Sequence, residues 1–84
     1  MIQLPLFECT TADLMQQQVG GNHYKEMAIQ PVEFIEKNNL TFLEGQVIKY
    51  VSRHRRKGGL EDLQKARHSL ELLIKFTQQE KTNV

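Results

Sequence analysis

A helix-start signal and a helix-stop signal enclose the most positively charged segment of the chain, between Thr41 and Gly59. Thr41 and Glu44 have the T-x-x-E spacing of a capping box, in which both side chains accept free backbone N–H groups at a helix N-terminus. Gly58 and Gly59 favour the end of a helix, because glycine adopts the left-handed C-cap conformation without steric cost. The segment therefore predicts a helix over residues 42–57.

This predicted helix has one apolar side and one basic side. At about 100° per residue, the apolar side consists of Leu43, Val47, Tyr50, Val51 and His54. The opposite side is a basic ridge formed by Lys49, Arg53 and Arg56, with Lys57 on its flank. Like charges at four-residue spacing repel one another, and few carboxylates lie nearby in sequence. The ridge favours recognition of an external phosphate group, and the alternative is a solvated helix face whose cations favour the helix dipole.

Composition restricts the class of protein. A chain of 84 residues forms one small domain, and oligomerisation commonly adds to the roughly 3–5 kcal/mol that so small a core supplies. The net charge is only +1, so the positive charge is local and favours a site over a nucleic-acid coat. The lone cysteine, Cys9, excludes an intrachain disulfide. No apolar run reaches the length of a membrane span and no signal-peptide pattern occurs, so we expect a cytoplasmic protein.

Shorter elements are predicted before the basic helix. Residues 1–18 form an N-terminal arm, within which a short helix starts at Thr10 or Thr11. Pro31 suits the first position of a helix, where a backbone N–H is not needed. Residues 31–37 therefore predict a second short helix, which an Asn-Asn pair ends.

A long last helix is predicted to begin at Leu60 and to carry two apolar surfaces. Its main stripe consists of Leu63, Ala66, Leu70, Leu73, Ile74 and Thr77. Leu72 and Phe76 lie away from that stripe, which favours a further helix layer from another subunit. Residues 19–78 thus predict one all-α domain, a hairpin of two long helices preceded by a short helix and a glycine-rich loop. We expect it to form a homo-oligomer, with residues 79–84 as a frayed C-terminus.

The glycine-rich loop, residues 19–25, contains the sequence Gly-Gly-Asn-His-Tyr-Lys after its first residue. A nucleic-acid base can stack on the Tyr24 ring, and Lys25 or a charged His23 can meet a phosphate. The alternative is an ordinary turn whose Tyr24 packs on the core, and the loop taken alone favours that interpretation.

Several kinds of chemistry are excluded by pattern. No G-x-x-x-x-G-K-[ST] loop occurs, so the chain is not a P-loop nucleotide enzyme. Glu61 and Asp62 are adjacent and point to different helix faces, so they do not form a magnesium-binding carboxylate cluster. We therefore expect no metal and no cofactor.

The order of short motifs resembles a known family. The motifs are G-N-H-Y at residues 21–24, M-x-I-Q-P-x-x-F-I at 27–35, L-x-F-x-x-G-x-x-I-K-Y-x-x-R at 40–53 and K-x-G-x-x-D-L-x-K-A at 57–66. They resemble a family of small phage-encoded domains long described only as of unknown function. The chain is similar, over about residues 20–76, to part of the podophage nucleotide kinase, an enzyme that phosphorylates deoxynucleoside monophosphates without a P-loop. That kinase is longer, and residues 1–18 have no counterpart in it.

The resemblance implies a site for a nucleotide in the cytoplasm of an infected host cell. Carried over by position, it implies roles for His23, Tyr24, Gln30, Lys49, Arg53, Lys57, Asp62 and Lys65. The loop and the ridge add Lys25 and Arg56 as phosphate-binding candidates.

Three functions remain open from the sequence. In a nucleoside-monophosphate kinase, the cations would neutralise charge that develops during phosphoryl transfer. In a nucleotide-sequestering protein that counters a host defence, the same cations would bind without turnover. A nucleic-acid or protein adaptor would use the ridge against a phosphodiester backbone, although nucleic acid is the less favoured partner.

Overall fold

The computed structural model describes residues 8, 10–17 and 24–82, with only the helical backbone of the last two. It contains four helices in these ranges: α1 (Thr11–Gln16), α2 (Pro31–Lys37), α3 (Phe42–Arg53) and α4 (Gly59–Thr82). No strand occurs among the described residues. The all-α prediction and the hairpin of two long helices are confirmed, since α3 packs along α4. His23 and most of the glycine-rich loop lie outside the described residues.

The helix starts follow the local signals in the sequence. At α3 the Thr41 backbone N–H donates to Glu44 Oε1 at 2.8 Å, and the Glu44 N–H donates to Thr41 Oγ1 at 3.4 Å. Donation by Thr41, first from its backbone N–H, to the Glu44 carboxylate holds the pKa of Glu44 below its ordinary value. Thr10 and Asp13 make a second capping box at α1. The helix that starts at Pro31 ends as predicted, where Asn39 adopts a positive φ of 53°.

The predicted end of α3 at residue 57 is wrong, because the helix stops at Arg53 and residues 54–58 form a turn. Within the turn, the Lys57 N–H donates to Arg53 O at 3.0 Å and the Gly59 N–H donates to His54 O at 2.7 Å. Gly59 has a φ of +55° and is the first residue of α4. The glycine pair therefore belongs to the reversal between the two helices, and the chain leaves α3 four residues earlier than expected.

The position of α2 against α3 depends on Gly45. This residue is buried in α3, and a Cβ added to it would lie 3.1 Å from Ile35 Cγ2. The glycine therefore allows the Ile35 side chain of α2 to approach the α3 backbone. Gln30, at the start of α2, is also buried, and its Nε2 donates to Met15 O of α1 at 3.0 Å.

The predicted core stripe of α4 is only partly correct. The buried residues of this helix are Asp62, Ala66 and Ser69, with Leu73 half-buried. Leu63, Leu70 and Ile74 of the predicted stripe are 37–47% exposed. The face in contact with α3 is thus rotated by about 60° around α4, at about 100° per residue, because Asp62 faces the hairpin interior.

The described residues bury very little apolar surface. Ala66 is their only buried hydrophobic residue. Leu72 and Phe76 are 39% and 55% exposed, as expected for residues outside the main packing face of α4. Helix α4 continues to Thr82, past the predicted domain end at residue 78, and the fraying of residues 79–84 stays a prediction. None of the described helices is both long and apolar enough to cross a membrane.

Candidate functional site

Arg53 is not part of an outward-facing ridge. Its side chain is only 11% exposed, and it forms a two-point hydrogen-bonded ion pair with Asp62. Arg53 Nε donates to Asp62 Oδ2 at 3.1 Å, and Arg53 Nη2 donates to Oδ1 at 3.2 Å. The prediction that Arg53 projects away from the core together with Lys49 is therefore wrong. Helical periodicity alone assigned residue 53 to a solvent-exposed face, because it carries no information about the position of α4.

The ion pair also holds the turn that follows α3. The Gly58 N–H donates to Asp62 Oδ2 at 3.0 Å. The pKa of Asp62 lies below its ordinary value, first because Arg53 donates to the carboxylate and then because Gly58 does. Asp62 in turn raises the pKa of Arg53 by accepting its hydrogen bonds, with a smaller contribution from the neighbouring Tyr24. Asp62 therefore joins α3, the turn and α4, and one of the residues implied by resemblance has a structural role.

The groove between α2 and α3 brings together residues that the sequence had separated. Its volume is about 290 Å³. Its walls are formed by Tyr24, Gln30, Pro31, Val32, Ile35 and Lys49. Tyr24, Gln30 and Lys49 were predicted site residues, and Lys49 supplies the positive charge of this α2–α3 groove. The groove is otherwise mainly apolar, which suits a flat organic group.

Three cations surround the ring of Tyr50. Lys49 Nζ and Lys65 Nζ each lie 5.7 Å from the ring centroid, and Arg53 Cζ lies 4.7 Å from it. Cations within about 6 Å of an aromatic centroid are attracted by the negative face of the ring. Since a ring has two faces, at least two of these cations share one. The Tyr50 ring thus connects Lys49 and Lys65, which lie on different helices.

A polar cleft of about 470 Å³ lies beside Tyr50, between α3 and α4. It is lined by Gln46, Tyr50, Glu61, Gln64, Lys65, His68 and Ser69. Lys65 Nζ is 3.6 Å from Glu61 Oε1, and both side chains are substantially exposed. Because exposed pairs contribute only about 0–1 kcal/mol, Glu61 is a weak competitor for Lys65. Lys49 has no carboxylate oxygen within 4.0 Å among the described residues.

Another groove, between α1 and α2, is larger but less suited to an anion. Its volume is about 410 Å³, and Leu14, Met15 and Val32 contribute apolar surface to it. Glu33 and Glu36 also line it. The nearby Lys37 is held by Glu33 at 2.7 Å. Negative charge therefore predominates here, and a phosphate is better accommodated on the α3 side of α2.

The remaining predicted site residues do not line these cavities. Lys25, Arg56 and Lys57 are exposed, and they line neither the α2–α3 groove nor the polar cleft. His23 lies outside the described residues. The sequence-based prediction missed Tyr50 as a cation-binding ring and assigned it to the apolar side of α3. The adjacent Lys49-Tyr50 pair was the available signal, because a lysine beside an aromatic residue can form a cation–π contact.

Comparison with known proteins identifies only the family. A sequence model of a family described as proteins of unknown function, DUF3310, matches residues 19–71, which is more than half of the chain. No curated protein and no solved structure matches the chain. Among the described residues, no group of three or more His, Cys, Asp and Glu side chains is placed to hold a metal ion. The chain belongs to the DUF3310 family.

Proposed function

We propose that this protein binds a nucleotide, with the base in the α2–α3 groove and the phosphates near Lys49 and Lys65. The position of Lys49 is the observation that carries this proposal. Lys49 lines the apolar groove, and its Nζ also lies 5.7 Å from the Tyr50 centroid. One side chain thus joins a surface suited to a base to a cluster suited to an anion.

The groove supports binding of the base. Pro31, Val32 and Ile35 provide apolar walls, and Tyr24 adds an aromatic ring. The volume of about 290 Å³ is at the lower end of the range for small-molecule sites, which begins at about 300 Å³. It therefore suits one base and its sugar, with the charged phosphates outside the groove.

The cations around Tyr50 support binding of the phosphates. Arg53 is neutralised by Asp62, so it is not available as the main phosphate ligand. Lys49 of α3 and Lys65 of α4 remain, and both lie within 5.7 Å of the Tyr50 centroid. Charge-assisted hydrogen bonds to phosphate are roughly twice as strong as neutral ones. We therefore assign the phosphate contacts to these two lysines.

The decisive experiment is calorimetric titration with deoxynucleoside mono-, di- and triphosphates at fixed ionic strength. Lys49→Gln should weaken binding at least tenfold, about 1.4 kcal/mol, and addition of Lys65→Gln should weaken it further. Lys75→Gln is the matched control, because Lys75 is an exposed lysine of α4 that lines neither the groove nor the cleft. Absence of binding at millimolar nucleotide, or equal effects of all three lysines, would contradict the proposal.

Catalytic turnover distinguishes a nucleoside-monophosphate kinase from a nucleotide-sequestering protein. The resemblance to the podophage nucleotide kinase favours the kinase, in which Lys49 and Lys65 neutralise charge on the transferred group. The assay is incubation with a deoxynucleoside monophosphate, ATP and Mg²⁺, followed by chromatography of the nucleotides. Formation of the diphosphate, and its loss in Lys49→Gln, would identify the kinase. Binding without a diphosphate product would identify sequestration.

An exposed basic turn favours a second candidate function, binding to nucleic acid. Arg55, Arg56 and Lys57 are all exposed in the turn between α3 and α4, outside both cavities. Contacts between such a turn and a phosphodiester backbone would make affinity fall steeply with salt. A salt titration with a short oligonucleotide tests this function, and Arg56→Gln should reduce the slope only if the turn contacts phosphates.

A further inference from the structure

The α3–α4 hairpin exposes several apolar side chains that the proposed nucleotide site does not use. Val51, Leu63, Leu70 and Ile74 are 37–47% exposed. At about 100° per residue, Val47 and Val51 lie on the flank of α3 away from Gln46. Leu63, Leu70 and Ile74 lie on the flank of α4 away from Lys65 and His68. Gln46, Lys65 and His68 line the polar cleft, so the other five residues share the opposite side of the hairpin and form an apolar face.

We propose that this apolar face binds a second copy of the same chain through the same face of that copy. Ala66 is the only hydrophobic residue that the described part of one chain buries. A fold whose described residues leave this much apolar surface exposed gains stability when a partner covers it. A second copy is the one partner that always accompanies the chain, as in oligomers whose folding depends on association.

The length of α4 supports this arrangement. Helix α4 has 24 residues and α3 has 12, so their lengths are about 36 Å and 18 Å. Arg53, at the end of α3, pairs with Asp62, near the start of α4. The two helices run in opposite directions, so α4 extends past α3 beyond about Leu73. Among the described helices only α3 packs on α4, so within the described part of the chain no other helix packs on this extension.

The available area is sufficient for a specific pair. Each helix is about 10 Å across, so the combined side of α3 and α4 has a footprint of roughly 500 Å² per copy. Two copies would bury on the order of 1,000 Å², which is the lower bound for a specific interface. The polar cleft lies on the other side of the hairpin and stays open in such a pair.

The charges on this side of α4 suit an antiparallel, two-fold arrangement. Arg67 Nε lies 3.5 Å from Glu71 Oε1, and both side chains are exposed beside the apolar residues. A two-fold axis that crosses the apolar face at the level of residue 69 along α4 would bring Arg67 of one copy towards the partner's Glu71. The same axis would bring Leu63 towards the partner's Ile74 and each Leu70 close to its own counterpart. Apolar groups then meet apolar groups, and opposite charges meet across the pair.

Sedimentation equilibrium between about 1 and 100 µM tests the proposal. The chain mass is 9.8 kDa, and the wild-type protein should sediment with twice that mass. Leu70→Glu should dissociate the pair, whereas Phe34→Glu should not. Phe34 is the matched control, because it is an α2 residue with nearly the same exposure, 46% against 45% for Leu70. A monomeric wild-type protein at 100 µM, or an intact pair in Leu70→Glu, would overturn the proposal.

A cross-linking experiment keeps the test decisive if Leu70→Glu fails to fold. In a Cys9→Ser background, Leu70→Cys should form an intermolecular disulfide under mild oxidation, because the two-fold axis places the two thiols close together. Phe34→Cys should remain monomeric on a non-reducing gel. Equal cross-linking of the two variants, or none in Leu70→Cys, would show that this face does not meet its own copy.

Discussion

At the scale of single residues, the pairing of Arg53 with Asp62 changes how the basic segment is understood. A four-cation ridge would repel itself, and the structure removes one of its members by burying it against a carboxylate. Tyr24 contributes to the raised pKa of Arg53, so the turn at residues 24–26 lies beside the same pair. The ion pair is thus adjacent to Tyr24, which forms part of the wall of the α2–α3 groove. Arg53 therefore has a structural role next to the candidate site.

Replacement of Arg53 should therefore act on stability. Arg53→Ala leaves the Asp62 carboxylate buried without its partner, and loss of one member of a buried pair is strongly destabilising. We expect the melting temperature to fall by more than about 5 °C, the shift that about 1 kcal/mol produces in a domain of this size. Lys49→Ala is the control and should leave the melting temperature nearly unchanged. If the melting temperature of Arg53→Ala were unaltered, the structural role would be wrong and Arg53 would again be a candidate phosphate ligand.

Low pH should weaken the ion pair between Arg53 and Asp62. The pKa of Asp62 is lower in the folded protein than its ordinary value of 3.8. A carboxylate with a lowered folded-state pKa contributes stability that is fully present above its unfolded pKa and is lost as the pH falls through its folded pKa. The free energy of unfolding, from urea titrations, should therefore decrease as the pH falls below about 4. Asp62→Asn should show a shallower decrease, and an identical pH profile would contradict this assignment.

At the scale of elements, the connection between α3 and α4 determines which faces meet. Gly58 has no room for a side chain, because an added Cβ would collide with the Asp62 carboxylate. Gly59 has open space around it but a φ of +55°. One glycine thus allows close packing, and the other allows a left-handed backbone. Together they reverse the chain directly after Arg53 and bring Asp62 back to it.

A pair of substitutions at Gly59 separates backbone strain from crowding. Gly59→Ala should destabilise the protein by about 1–2 kcal/mol, the cost of the left-handed conformation for a residue with a Cβ. Gly59→Asn should be less destabilising, because asparagine visits this conformation more readily. Both free energies come from urea denaturation. Equal destabilisation by the two variants would indicate that another feature of the turn requires glycine.

At the scale of the whole molecule, stability and association should be coupled. The described residues of one chain bury a single hydrophobic side chain, while large apolar residues such as Leu60 and Phe76 remain more than half exposed. The thermal midpoint of a protein that folds together with its partner rises with protein concentration. We expect such a rise between about 1 and 100 µM, measured by circular dichroism. A midpoint independent of concentration would show that one chain folds alone.

Much of the secondary structure follows from the sequence, because helix starts depend on neighbouring residues. The Thr41–Glu44 capping box, the proline at the start of α2 and the Asn-Asn pair at its end required no knowledge of the rest of the chain. The sequence also indicated that Tyr24, Gln30, Lys49 and Lys65 belong to one region, although resemblance supplied part of that indication. Their nucleotide-binding role remains a prediction.

Only the tertiary structure decided which side of each long helix is buried. Helical periodicity places residues around an axis, but it does not say from which direction a neighbouring helix approaches. That direction depends on the end of α3 at Arg53 and on the pairing of Asp62 with Arg53. As a result Arg53 is buried, and Leu63, Leu70 and Ile74 are exposed. Periodicity favoured the most apolar stripe as the core. The chain instead packs Asp62, Ala66 and Ser69 within the hairpin and leaves Leu63, Leu70 and Ile74 exposed. The buried Asp62 carboxylate requires this orientation, because a buried charge must be hydrogen-bonded and paired.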